Sequence, residues 1–242
     1  VAVAHDAVSE SHTGATGSIS QASFSWTHTP AGTPQGVLVF VHNLVGSTNK
    51  VSSVTYGGVN LTAVTGGRAV STTAEPGDCQ AWFLGSGIPT GAQTVVVNRT
   101  NDTDELYAVA ITVVAGAGND TAVHEPGVIL LTGLGTLAEN TSDDGSPGTN
   151  SLRYCSGFSG LAAPPGVGAS STALMDFDTG NQVTATCRET TAGQGARSLG
   201  FSSGTSDDRA FVFLAVKEVV VAARAPRPNA MVPSVGVRES VF

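Results

Sequence analysis

Apolar and polar positions along this chain change over in short beats. From Gln21 to Thr29 the alternation is strict, with Ala22, Phe24, Trp26 and His28 on one side and Gln21, Ser23, Ser25, Thr27 and Thr29 on the other. A period of two predicts a half-buried antiparallel strand with one wet face. Val37-Leu38-Val39-Phe40-Val41 is instead apolar at every position, closed by Gly36 in front and His42-Asn43 behind. Such a run is too short for a buried helix and reads as a central strand covered on both faces.

The same beat continues. Ser52–Tyr56 and Val59–Val64 flank Gly57-Gly58, which predicts a hairpin because primed turns need positive φ at their centre. Cys79–Leu84, Thr94–Val97 and Leu106–Val114 follow as strands. The last of these sets Tyr107, Val109, Ile111 and Val113 against small Ala108 and Ala110, which predicts a close neighbour on the small face. Further on, Val128–Leu131, Leu152–Phe158, Ser171–Phe177, Gln182–Arg188 and Arg197–Phe201 are strand candidates, and 139–150 reads as a long exposed loop. Ala210–Val216 is a second strongly apolar strand, read as a partner for the central one. Roughly ten to twelve strands at this spacing predict an all-β protein, a jelly-roll-like two-sheet antiparallel sandwich over residues 1–221.

Residues 222–242 change character. Pro226, Pro228 and Pro233 exclude a helix and disfavour a central strand, while Met231, Val232, Val235, Val237, Val241 and Phe242 are spaced apolar anchors. With Arg224 and Arg227 they form the expected interface of an extended C-terminal arm that docks on a neighbouring subunit.

Composition sharpens this picture in a few places. Glycine is abundant (30 residues) and charged residues make up only 12%, as suits many tight turns. A net charge of −8 leaves no basic stripe for a nucleic-acid partner, although residues 222–242 hold three Arg against one Glu. No run reaches the ~20 apolar residues of a membrane span. The opening Val1–Asp6 has no charged n-region, so an upstream start with its Met removed fits as well as a processed export product. Cys79, Cys155 and Cys187 match no zinc spacing. They read as buried free thiols, with a Cys155–Cys187 bridge as the alternative.

Motifs that could carry chemistry are weak. Gly200-Phe201-Ser202-Ser203-Gly204 has the letters of a nucleophile elbow, but Thr205-Ser206-Asp207-Asp208 follow where a helix is required, so a β-turn is expected. Gly133–Ala138 has the letters of a dinucleotide fingerprint, again without the helix N-terminus that would hold a pyrophosphate. Asp176 and Asp178, with Asn181, offer oxygen ligands of the kind calcium prefers, but no Glu closes the loop at EF-hand spacing, so a solvated turn is expected and a shared calcium is the alternative. Asp102, Asp104, Glu105, Asp143, Asp144, Asp207 and Asp208 are expected as wet loop charges. The five histidines are scattered, and His28 shares the inward parity of Trp26, which predicts a hydrogen-bonded core edge. Trp26 and Trp82 are core positions by the same logic.

The series GVLVFVHN, VSSVTYGGVNLTAV, AWFLGSGIPTGAQTVVV and LYAVAITVVAG, within residues 36–116, resembles a β-sandwich module of tailed-bacteriophage virion proteins, with related segments in bacterial surface proteins. The resemblance implies a non-enzymatic structural part of a virus particle, decorating or cementing a capsid or sitting on a tail. It further implies assembly in the host cytoplasm against other virion proteins and further copies of itself, as a homo-oligomer or bound to a lattice. No cofactor and no catalytic residue come with it. Two rival readings are a carbohydrate-binding adhesin, which needs exposed aromatics on a concave sheet, and a hydrolase, which needs paired acids or a Ser-His pair in a pocket.

Overall fold

The computed structural model describes residues 3–13, 21–73, 76–102, 104–114, 122–124, 129–137, 140–142, 151–160, 165–179, 182–190, 192 and 197–218. Among them there is no helix. The arm residues Arg224, Arg227, Met231, Val232, Val235, Val237, Val241 and Phe242 lie outside the described residues, as do Asp143 and Asp144.

The first half folds as the alternation requires. Its strands are β1 (Ala4–His12), β2 (Gln21–His28), β3 (Gly36–Asn43), β4 (Val51–Tyr56), β5 (Val59–Asn60), β6 (Thr62–Ser71), β7 (Gly77–Leu84), β8 (Gln93–Asp102) and β9 (Leu106–Val114). One sheet has the order β1-β9-β3-β7-β6 and the other β2-β8-β4-β5. The chain passes from one sheet to the other at Leu61, whose amide still donates to Val54 O at 2.9 Å. If β5 and β6 count as one strand bent there, this is the jelly-roll connectivity in full. The hairpin turn sits at Gly57 (φ 56°) and Gly58 (φ 81°), the paired positive φ of a type I′ turn.

Strand β3 is buried at all eight positions, and its two parities feed two cores. Val37, Val39 and Val41 point into the jelly-roll interior with Phe24, Val54, Tyr56, Trp82, Val95, Val97, Ala108 and Ala110. The small alanines of β9 therefore let the facing sheet come close. Leu38 and Phe40 point the other way, with Phe83, Tyr107, Val109, Ile111 and Val113.

What covers that second face is the C-terminal half. Its strands are β10 (Ala122–His124), β11 (Ile129–Leu137), β12 (Asn140–Ser142), β13 (Ser151–Ser159), β14 (Gly166–Val167), β15 (Ser171–Asp178), β16 (Val183–Glu189), β17 (Arg197–Leu199) and β18 (Phe201–Glu218). A seven-stranded sheet runs β10-β18-β13-β16-β15, with β11 and β14 also on β18. Leu152, Tyr154, Phe158, Ala210, Val212, Leu214 and Val216 close onto the jelly roll from this sheet. Its outer face packs Cys155, Val183, Ala185, Cys187, Phe211 and Phe213 under Leu137, Leu199 and Phe201.

The all-β sandwich expected from the sequence is thus present, with a third layer added to the two sheets. Strand β18 is not a hydrogen-bonded partner of β3. It bonds β10, β11, β13 and β14 and meets the central sheet face to face. The expected turn at Gly200–Gly204 is instead the entry into this strand, and Gly133–Leu137 lies within β11. Part of the expected 139–150 loop, Asn140–Ser142, pairs with Arg197–Leu199.

Candidate functional site

Three polar groupings stand out against this apolar frame. The first ties the two jelly-roll sheets together at one side. Trp26 Nε1–H donates to Ser9 Oγ (2.9 Å), Ser9 Oγ lies 2.7 Å from His28 Nδ1, His28 Nε2 lies 3.1 Å from Thr112 Oγ1, and Thr112 Oγ1 donates to Asp6 Oδ2 (2.8 Å). The other carboxylate oxygen takes the Gly32 amide at 2.7 Å. The ends of this chain fix its direction. An indole can only donate and a carboxylate can only accept, so each hydroxyl donates onward and His28 carries its proton on Nε2. Burial, the larger influence, lowers the basicity of His28, while Asp6 opposes it.

This arrangement contains the Ser-His pair a hydrolase would need, but its chemistry is that of a clasp. The Ser9 oxygen is occupied by the Trp26 N–H, and His28 is fully buried. Sequence parity places His28 at the core edge, as found. Its partners come from β1 and β9, about 20 and 80 residues away in the chain, and no local spacing announces them.

The second grouping lies in the seam between the jelly roll and the outer sheet. His42 Nε2 is 2.8 Å from Ser156 Oγ, which is 2.7 Å from Thr186 Oγ1. His42 has no access to water, and desolvation pushes its pKa down to about 3, so the ring is neutral. Beside it runs an aromatic stack, His42 on Tyr107 (5.7 Å), Tyr107 on Phe177 (5.1 Å) and Phe177 on His12 (4.8 Å). At the edge of the same seam, burial and the neighbouring Asp176 raise the pKa of Glu10.

The third is a hollow of about 400 Å³ on the outer sheet, lined by Ala169, Ser170, Glu189, Thr190, Arg197 and Ser198. Its floor is the buried Glu189 carboxylate. Arg153 N donates to Oε1 at 2.8 Å, while Arg153 Nη1 (3.4 Å) and Arg197 Nε (3.1 Å) converge on Oε2. Guanidinium, carboxylate and hydroxyl groups around an open hollow suit a small polar ligand better than an apolar one.

Asp176 and Asp178 lie exposed near the end of edge strand β15, and the described residues bring no cluster of three acidic, His or Cys groups together there or elsewhere. Several acids expected as wet loop charges are not. Glu105 is 3% and Asp208 1% exposed, and Asp208, within β18, accepts a hydrogen bond from Thr73 Oγ1. Asp78, likewise buried, is held by Arg68. Desolvation outweighs that guanidinium and raises its pKa to about 6. Trp82 is core, whereas Trp26 is half-exposed with its N–H spent on Ser9.

The chain matches no family model, no curated protein and no solved structure.

Proposed function

We propose that this protein is a non-enzymatic structural component of a bacteriophage particle, a capsid decoration or cement protein or a tail-associated one, that works by surface complementarity. The observation that carries the reading is the jelly roll itself. The residues that resemble virion β-sandwich modules are those of β3 to β9, and the space between their sheets is filled by Tyr56, Trp82, Val39 and Val97. A jelly roll with a filled interior offers its outside for binding, the use made of this architecture in coat and lectin domains; the step from fold to role is an analogy.

The outer face of β2-β8-β4 supports it. Ser23, Ser25, Thr27, Thr94, Val96, Asn98, Ser53 and Thr55 form a stretch of short uncharged side chains. Such groups lose less rotamer freedom when covered than Lys or Glu do. Beyond Glu218 the sequence supplies 24 more residues, with Arg224, Arg227 and the apolar anchors Met231, Val232, Val235, Val237, Val241 and Phe242. Docked on a second copy or another shell protein by strand addition, they would add main-chain hydrogen bonds to apolar contacts. Repetition over a symmetric particle would multiply such contacts.

Size-exclusion with light scattering on the full chain and on a form ending at residue 221 tests this. Self-association of the full chain that the shortened form loses is the expected result. The same number of subunits for both would remove the arm from the proposal.

The hollow at Glu189 favours a second reading, a glycan-binding adhesin on a phage tail or bacterial surface. A glycan array probed with the full chain distinguishes the two, since specific binding abolished by bulk at Ser198 would favour the adhesin.

A further inference from the structure

Cys155 and Cys187 stand directly opposite one another on antiparallel β13 and β16. Both side chains are fully buried in the same outer-sheet core, beside Phe213 and Ala185. Directly opposed residues of an antiparallel pair have Cα atoms about 4.5 or 5.5 Å apart, depending on whether they exchange hydrogen bonds. Both spacings fall within the roughly 4.4–6.8 Å that a disulfide spans. Cys79 sits elsewhere, in the central sheet, where its thiol donates to Ser156 O across the seam at 3.3 Å. Cys79 belongs to the core on the inner face of β13, with Tyr154 and Phe158, whereas Cys155 and Cys187 belong to the outer-face core, so Cys79 lies on the opposite side of that strand from Cys155.

We infer that Cys155 and Cys187 are a cross-strand disulfide site, open in the thiol form of this structure and closed by thiol–disulfide exchange with a small-molecule disulfide while the chain folds. One cysteine thiolate attacks the small disulfide, releasing one thiol and leaving a mixed disulfide on the protein. The second thiolate attacks the protein sulfur of that adduct and releases the other thiol. Two protein S–H bonds become one S–S bond, and the small disulfide is reduced to two thiols.

The timing follows from burial. In the folded protein neither thiol meets solvent, and desolvation raises the Cys155 pKa, so the thiolate needed for exchange is scarce and enclosed. During folding both are open to reagent. Once β13 and β16 pair, they are held side by side. The bridge would staple β16, and β15 beyond it, to β13 in the middle of the outer sheet. A chain made in a reducing compartment would carry the site open, and one folded in an oxidising medium would carry it closed.

The test is to refold the full chain from denaturant in a mixture of oxidised and reduced glutathione, alkylate it under denaturing conditions and map its peptides. The expected product has one alkylatable thiol in place of three, a linked peptide pair containing Cys155 and Cys187, and a raised urea midpoint that dithiothreitol reverses. The folded, reduced protein exposed to the same mixture should stay at three thiols over a time in which the refolding chain has reacted. Cys79→Ala should still bridge, while Cys187→Ala should leave every thiol alkylatable. Three free thiols after refolding, or a bridge that includes Cys79, would overturn the inference, and neither readout requires a variant to fold.

Discussion

Ser9 Oγ and His28 Nδ1 lie 2.7 Å apart across the side of the jelly roll where β1 of one sheet meets β2 of the other. Because the Trp26 indole donates to the same oxygen, the hydroxyl is a link in a one-way chain ending at Asp6 rather than a poised nucleophile. A fluorophosphonate probe should therefore leave Ser9 unlabelled, as read by intact mass. Stoichiometric labelling lost in Ser9→Ala would show the pair to be catalytic.

The same chain makes Thr112 the most sensitive of its members. Thr112→Val keeps the shape but leaves His28 Nε2–H and Asp6 Oδ2 without their partner. A buried polar group so orphaned costs about 1–3 kcal/mol, so the urea midpoint should fall accordingly. A loss within a few tenths would mean that water replaces the hydroxyl.

His42 sets part of the acid sensitivity. Its pKa is about 3 in the folded chain against 6.5 free, so between those values the unfolded chain binds a proton that the native one refuses. Stability from this group is complete above pH 6.5 and falls by about 1.4 kcal/mol per pH unit on the way down to 3. Asp78 acts in the opposite direction between about 6 and 3.8, because its folded form keeps its proton longer. His42→Gln, which can still hydrogen-bond Ser156, should flatten the pH dependence of stability from 6.5 to 3. An unchanged slope would locate the acid sensitivity elsewhere.

Two glycines should respond oppositely. A Cβ on Gly157 would lie 2.3 Å from Ala210 O and 2.6 Å from Phe211 Cα, backbone atoms of the paired strand that cannot step aside. Gly157→Ala should cost on the order of 2–3 kcal/mol or more by chemical denaturation, as overpacking does. Gly58→Asn meets nothing within 4 Å at φ +81° and should stay within about 1 kcal/mol of the parent, since Asn tolerates left-handed turns.

Arg153 and Glu189 form a buried ion pair, 2% and 1% exposed at their side chains. Glu189→Leu takes the carboxylate away from the buried Arg153 guanidinium and should cost about 3–5 kcal/mol, whereas Arg153→Met leaves Glu189 still paired with Arg197 and should cost less. Arg153→Met with Glu189→Leu should cost much less than the two single changes combined. A double-mutant cycle without coupling would show that Arg197 alone holds the carboxylate.

Strict alternation in Gln21–Thr29, the Gly-Gly turn and the two-parity apolar run of β3 are legible in the residues themselves, because period and turn chemistry are local. Together they specify strands, their buried faces and a jelly-roll pattern over the first half. The buried state of Glu105 and Asp208 is not legible in that way. Charge type and a polar neighbourhood suggest loops, while burial depends on what another strand brings up to cover them.

Ala210–Val216 shows the limit most clearly. Seven apolar positions in a row state that both faces of a strand are covered, yet they are silent on whether the central strand lies beside it or across from it. Hydrogen-bonded neighbours and stacked sheets impose the same alternation, so only the long-range pairing of β18 with β11 and β13 decides for a third layer. The same holds for the clasp at His28 and the facing thiols of Cys155 and Cys187. The sequence alone determined which side of each strand is apolar, since that depends on residues two apart. The tertiary structure alone decided which polar atoms meet, since that depends on strands far apart in the chain arriving in one register.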